Sequence, residues 1–282
     1  MILAVTGIFL LLPLLLTVFL SGREALHIKK QWNMESLLPM LMCREIPWEY
    51  EEEMKKVQAV LTRSSLYLRI EEEKMDGEAW GNLWKEAKAA QHQKGYQQAY
   101  RSMEAAAKDT EGEMLFYQSK VCEGVFHRIS SGTTRDGLEV FGKMEKGYLL
   151  SVDSNWDMSG HYFSEGALRE QLEKAYPGLV FTEEPVENQI NMYKRDKVGH
   201  ILFLTVGNKT ISGEEFRQLL ELPSSNFTMQ AADGKIRFLC KGQGHGLGLS
   251  QYGGNVLAKE GKSYKEILRY YFPECGVQKK DS

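Results

Sequence analysis

The 282-residue chain has few cysteines and no close pair among them: Cys43, Cys122, Cys240 and Cys275 are scattered. No CxxC and no Cys/His ligand pattern occurs, so a zinc ribbon and a thioredoxin-type redox motif are excluded. An oxidising compartment would permit three pairings of these residues, but so few for this length reads as free, buried thiols. Charge of one sign is also missing. A net charge of -3 gives no general electrostatic attraction for nucleic acid. There are no internal repeats and no low-complexity tract. Hydrophobic residues at 43% are ample for a core, and the length allows one large domain or two small ones.

Only one long apolar run is present. Ile2 to Leu20 carries no charge over nineteen residues, enough at the helical rise to cross most of a bilayer core. A signal peptide has a basic start, a shorter apolar region and a small-residue cleavage site. Here the start is not basic and the run ends Phe19-Leu-Ser-Gly22, so residues 1–21 are expected to be an uncleaved transmembrane anchor. The positive-inside rule would keep Arg23, Lys29 and Lys30 cytoplasmic, although large domains can be translocated despite flanking charge. Residues 22–38 read as a linker, and residues 278–282 as a tail.

Past the linker, Leu41-Met-Cys-Arg-Glu45-Ile-Pro47 leads into acidic residues that suit a helix N-terminus. Met54, Val57, Leu61, Ser64 and Leu68 then recur at alternating three and four, which predicts an amphipathic helix over Trp48–Arg69. Lys56 and Arg63 fall on nearly one face of it. Residues 78–109 also read as helical. From Met114 the period shortens, predicting strands at 114–117 and 122–127, then a polar loop at Ser130-Ser-Gly-Thr-Thr134. A strand is expected at Tyr148–Val152, a helix at Phe163–Tyr176, and a strand at Val198–Val206 turning at Gly207-Asn208. Ser212 is placed to cap a short helix. Phe227–Met229 and Ile236–Cys240 are predicted to pair across Ala232-Asp-Gly234. The pattern is α+β: a long helix against antiparallel hairpins, with a possible smaller lobe at about 150–225.

That last hairpin delivers the chain into Gly242-Gln-Gly-His-Gly-Leu-Gly-Leu-Ser-Gln-Tyr-Gly-Gly254. Alternate glycines can take positive φ and let backbones approach closely. The dinucleotide fingerprint fails, because Leu247 and Leu249 occupy its third glycine position. A phosphate loop fails, because no glycine precedes Gly261-Lys-Ser263 by five. The nucleophile elbow fails by one residue at Gly248-Leu-Ser250-Gln-Tyr-Gly253. By pattern alone, a glycine-rich turn around the core is as good a reading as a ligand loop.

The segment Gly244–Gly253 with Ala258, Gly261, Tyr264, Ile267-Leu268 and Tyr270-Tyr271-x-Pro273 resembles the C-terminal signature of the stage II sporulation protein D family. Glu45-x-Pro47, Lys56-Val-Gln58, Arg63, Tyr117, His127, Ser131-Gly132, Trp156-Asp157 and Leu222–Phe227 extend the resemblance over about residues 39–277. The family implies a lytic transglycosylase that acts on peptide-free peptidoglycan glycan strands during forespore engulfment. It implies an extracytoplasmic domain on a membrane anchor and a cell-wall amidase as partner. Motif match implies Glu45 as the catalytic acid and base. Lys56, Arg63, Tyr148, Ser130, Thr134, His245, Ser250, Gln251 and Tyr252 are then expected on the substrate.

One carboxyl suffices for such a reaction, since the muramic C6 hydroxyl is an internal nucleophile and replaces the second group of ordinary glycosidases. Leu41, Met42, Ile46 and Trp48 are expected to supply an apolar setting. Without the family, Glu45 reads as a surface acid, Arg63 as an ion-pair partner and His127 as a core histidine. No cofactor is expected. Some relatives place cysteines after the matching histidine, a plausible zinc site; Thr133 and Thr134 stand there instead, so no metal is expected. The family's glycine before the acid is Arg44 here, and an arginine there would depress the acid's pKa. That keeps open a second reading: a glycan-binding scaffold that stimulates an amidase and cuts nothing.

Overall fold

The computed structural model describes residues 34–73, 77–92 and 94–280. The expected anchor at 1–21 lies outside this range, and none of the described helices is long and apolar enough to cross a membrane.

The N-terminal half is helical. Helices α1 (Met34–Glu45), α2 (Glu52–Glu73), α3 (Gly77–Lys88) and α4 (Tyr96–Asp109) pack together. Helix α1 takes the last residues of the expected linker. Leu37, Leu38, Met40, Leu41 and Met42 are all buried, so the segment has no polar face for a period to reveal. Helix α2 starts at Glu52, four residues later than the periodicity predicted, because Pro47–Tyr50 closes a turn. It is also less amphipathic than expected. Met54, Val57, Val60 and Leu61 are fully buried, but so are Gln58, Arg63 and Ser64. Each buried aliphatic chain contributes about 1.5–3 kcal/mol, and each buried polar one needs a partner.

A three-stranded antiparallel sheet seals this half, with β1 (Glu113–Tyr117) between β2 (Lys120–Val121) and β11 (Gly276–Lys279). Ser64 Oγ accepts from the Leu115 amide at 2.8 Å, tying α2 to β1. The predicted 122–127 strand is only β3 (Phe126–His127), which pairs in parallel with β10 (Leu249–Ser250). Short helix α5 (Gly137–Phe141) comes next.

Tyr148–Val152 forms no strand. Its backbone is held by the polar loop instead: Thr134 N donates to Val152 O and Val152 N to Thr134 Oγ1, both at 2.9 Å.

A second core gathers residues from Leu168 to Cys240. Strand β4 (Met158–Phe163), missed in the sequence, forms a sheet with β9 (Lys235–Lys241) and β8 (Phe227–Ala232). Strands β5 (Ile190–Arg195), β6 (Ile201–Val206) and β7 (Lys209–Ser212) form another. Helices α6 (Glu165–Ala175) and α7 (Gly213–Leu219) are N-capped by Ser164 and Ser212. Phe216, Phe227 and Phe238 fill the centre, with ring centroids 5.4–5.9 Å apart. The β8–β9 hairpin pairs as predicted and feeds the glycine-rich loop. The chain ends through α8 (Gln251–Lys259), α9 (Tyr264–Tyr271) and β11. The architecture is α+β with antiparallel sheets.

Candidate functional site

Gly242, Gly244, Gly246 and Gly248 all have positive φ. At Gly248 the requirement is doubled: φ is +68°, and a Cβ would stand 2.1 Å from the Val125 carbonyl oxygen. Only glycine lets β10 lie beside β3 here. The loop is sewn to Ile129, Arg135 and Ser224 by isolated bridges. Ser250 ends it as the N-cap of α8, its Oγ accepting from Gly253 N and Ser130 N at 3.2 Å.

The next residue, Gln251, reaches across 206 positions of sequence. Its Nε2 donates to the Glu45 backbone oxygen at 2.8 Å and to Gln58 Oε1 at 3.0 Å. That fixes the Gln58 amide, whose Nε2 donates to Glu45 Oε2 at 2.9 Å. Thr62 Oγ1 makes a second, short hydrogen bond to the same Oε2. Both donors come from α2, one turn apart. Oε1 has no hydrogen-bond partner among the described residues. With Oε2 fixed as an acceptor, a proton on this carboxyl belongs on Oε1.

Glu45 opens on a cavity of about 150 Å³ lined by Leu41, Leu66, Leu83, Phe126 and Thr62, with Arg69 and Glu86 at its edge. Of the apolar residues expected around the acid, Leu41 is there; Leu66, Leu83 and Phe126 supply the rest. Met42 and Ile46 belong to the core, and Trp48 is partly exposed. Burial raises the Glu45 pKa above the usual carboxylate value and outweighs the lowering by the Thr62 and Gln58 hydrogen bonds. The Arg44 guanidinium lowers it only as a lesser effect, opposed by Glu86. Arg44 donates to Glu86 Oε1 at 3.2 Å, and Arg69 stands 3.6 Å from Glu86 Oε2. Glu86 thus pairs with the guanidinium next to the acid.

The other expected residues divide. Lys56 is not at the cavity: it pairs with Glu53 at 2.9 Å and Asp109 at 3.3 Å. Arg63 is fully buried and spends its donors internally, on both Glu35 oxygens, Thr110 Oγ1, Glu113 O and Ala107 O. It is a clamp between α1, α2 and the end of α4, the ion-pair reading made with Glu35. Tyr148 is buried and donates to Glu123 O at 2.9 Å. Ser130 and Thr134 are buried in loop contacts. Tyr252 is exposed beyond Gln251. His245 faces another cavity, of about 510 Å³, with Arg135 and Glu214. Burial lowers its pKa, and its Nδ1 accepts from Leu247 N at 3.1 Å. Of the loop residues, then, Gln251 meets Glu45. His127 is buried, its Nδ1 3.0 Å from Leu247 O, and burial pushes its pKa down to about 3. Among the described residues no group of three His, Cys, Asp or Glu could hold a metal, and the four cysteines are free.

The residues the sequence reading missed are Thr62 and the role of Gln58. Their signal was present: two polar side chains at i and i+4 beside an apolar stripe.

The fold and site define a mixed α and β domain with one recessed, protonatable carboxyl on a cleft. Residues 22–117, which include Glu45, Gln58 and Thr62, match the family model described as Stage II sporulation protein, SpoIID. The chain is similar to stage II sporulation protein D of Bacillus amyloliquefaciens, 26% identical over 277 residues, which is 92% of this chain and 78% of that one. It is also 26% identical over 193 residues to stage II sporulation protein D of Bacillus subtilis, covering 66% of this chain and 54% of that protein. An 88-residue stretch, 31% of the chain, is 32% identical to the amidase enhancer of Bacillus subtilis and covers 12% of it. Residues 22–117 thus carry the match to the Stage II sporulation protein family model, and most of the chain is similar to proteins named stage II sporulation protein D.

Proposed function

We propose that this protein is a lytic transglycosylase of peptidoglycan glycan strands, with Glu45 as its single acid and base. The observation that carries the reading is the asymmetry of the Glu45 carboxyl on this cavity: Oε2 takes two hydrogen bonds, and Oε1 takes none among the described residues. A raised pKa keeps a proton available for donation. That proton passes to the oxygen linking N-acetylmuramic acid to N-acetylglucosamine. The C1–O bond breaks, and its electron pair leaves with the N-acetylglucosamine oxygen. The muramic C6 oxygen bonds to C1 and its proton returns to Glu45. No water is consumed, and the product carries a 1,6-anhydro end. Glu86, the other carboxylate on the cavity, is held by Arg44 and Arg69 and takes no part.

The substrate expected here is the strand stripped of stem peptides. Residues 1–21 would anchor the domain on the outer face of the cell membrane, towards the wall. A cell-wall amidase would supply stripped strands, in keeping with the amidase enhancer among its relatives. That similarity also favours a second reading: a scaffold that binds glycan and stimulates the amidase without cutting.

The full chain in detergent, incubated with peptide-free glycan strands, decides between them. Anhydro-ended products that vanish in Glu45→Gln support the first. Saturable binding with no cleavage supports the second, and neither binding nor cleavage defeats both.

A further inference from the structure

The Glu45 cavity does not end at its own walls. Ser65 and Arg69 also line the next cleft, of about 710 Å³. Its far wall is the β1–β2 hairpin. The turn of that hairpin is built from Gln118 and Ser119, with φ of +49° and +64°. Two residues in the left-handed region call for Asn-Gly; each non-glycine there costs about 1–2 kcal/mol. Backbone strain of this kind is retained where a position is otherwise determined. Here it presents Gln118 and Lys120 on the cleft. Tyr117 lines the same wall, its ring 5.5 Å from that of Tyr148.

The cations of the cleft are not equivalent. Arg69 is near Glu86, and Lys146 pairs with Glu123 at 2.7 Å. Lys120 is exposed and makes no ion pair among the described residues. A tethered, unpaired ammonium beside a carboxamide and an aromatic wall suits a sugar that carries a carboxylate.

We propose that this cleft is a glycan subsite continuous with the acid, in which Lys120, with Gln118, reads the free lactyl carboxylate of a muramic residue. The inference rests on the transglycosylase reading for its substrate, but not for its geometry. A muramic residue that still bears a stem peptide has an amide in place of that carboxylate. It offers Lys120 no charge at the lactyl carbonyl and adds bulk at the hairpin. Discrimination for stripped strands therefore resides at this turn, away from the reacting bond.

The test uses the full chain in detergent and two probes: peptide-free strands, and the same strands with their lactyl carboxylates converted to methyl amides. Lys120→Glu is expected to raise KM for the first probe about tenfold, the size of one charge-assisted hydrogen bond, with kcat within about twofold. Lys120→Arg is expected to restore it. On the amidated probe wild type and Lys120→Glu should have the same KM. An unchanged KM in Lys120→Glu, or a difference that persists undiminished on the amidated probe, overturns the proposal while leaving Glu45 as the acid. If wild type binds strands without cleaving them, the same comparison is read as Kd: a tenfold loss keeps the subsite and sinks the transglycosylase. No binding at all sinks both.

Discussion

Glu45→Gln is the most informative single change, because it should stabilise the protein while destroying its chemistry. Glutamine has the size and shape of the protonated acid. Its amide oxygen can occupy the Oε2 position and accept from Gln58 Nε2 and Thr62 Oγ1, leaving its NH₂ towards the cavity. What disappears is a buried group that must ionise. Burial holds the folded-state pKa of Glu45 above its ordinary value, whereas in the unfolded chain a glutamate titrates near about 4.3. Below the unfolded pKa both states hold the proton, and the carboxyl costs nothing extra. Between the two pKa values the folded state still holds a proton that the unfolded state has lost. Wild-type stability then falls by about 1.4 kcal/mol per pH unit until the folded pKa is passed. The variant has no such group, so the Tm difference between variant and wild type should be flat below about pH 4, rise through the window and level off above it. At about 2–4 °C per kcal/mol for a domain of this size, the rise is about 3–6 °C per pH unit of window. Thermal melts of the full chain in detergent, from pH 4 to 8, read this directly. A pH-independent Tm difference would show that Glu45 ionises like an ordinary surface acid, and the case for it as proton donor would fail.

Thr62→Val keeps the volume but removes a hydrogen bond that favours the carboxylate; the alkaline limb of the cleavage pH profile should move to higher pH. Arg63→Ala should cost about 3–5 kcal/mol in urea unfolding by removing a fully buried guanidinium and leaving two carbonyls without their donor, and Arg63→Lys should recover less than half, because an ammonium has fewer donors in a different geometry. Gly248→Ala should cost more than about 2 kcal/mol and abolish cleavage by displacing Gln251. Lys56→Ala should leave cleavage unchanged and stability within about 1 kcal/mol.

Much of the architecture was legible where local chemistry acts alone. The Gly207-Asn208 and Asp233-Gly234 turns specify their hairpins, and Ser212 caps its helix. What escaped was structure determined by surroundings. Helix α1 is buried almost all round, so its apolar run has no period, and Pro39 inside it imitates a break. Strand β4 is largely exposed and contains Gly160, so it shows neither alternation nor propensity. Tyr148–Val152 has a strand's composition but gives its hydrogen bonds to Thr134. At the site, the meeting of the glycine-rich motif with Glu45 could be anticipated from the two motifs; that the contact would be Gln251 through Gln58 could not.

The fate of Lys56 and Arg63 comes from helix geometry once the long helix is known to be buried on several sides. Successive residues are about 100° apart around the axis. Lys56 and Arg63, seven apart, share a face; Gln58 and Thr62, four apart, share another. From Thr62 to Arg63 is one step of about 100°, and from Gln58 to Arg63 about 140°. A helix lying beside one small cavity cannot present both faces to it. Spacing alone could say that the pairs differ, but not which would be chosen. The choice was made by the partners: Glu35, the Ala107 carbonyl near the end of α4 and the Glu113 carbonyl at the start of β1 lie opposite Arg63, and they saturate it. Gln58 and Thr62 were left to face Glu45, where two neutral donors hold a carboxyl in place without forcing it to ionise. An arginine in their position would have been a stronger anchor and a worse one, since it would have taken the proton away from the acid.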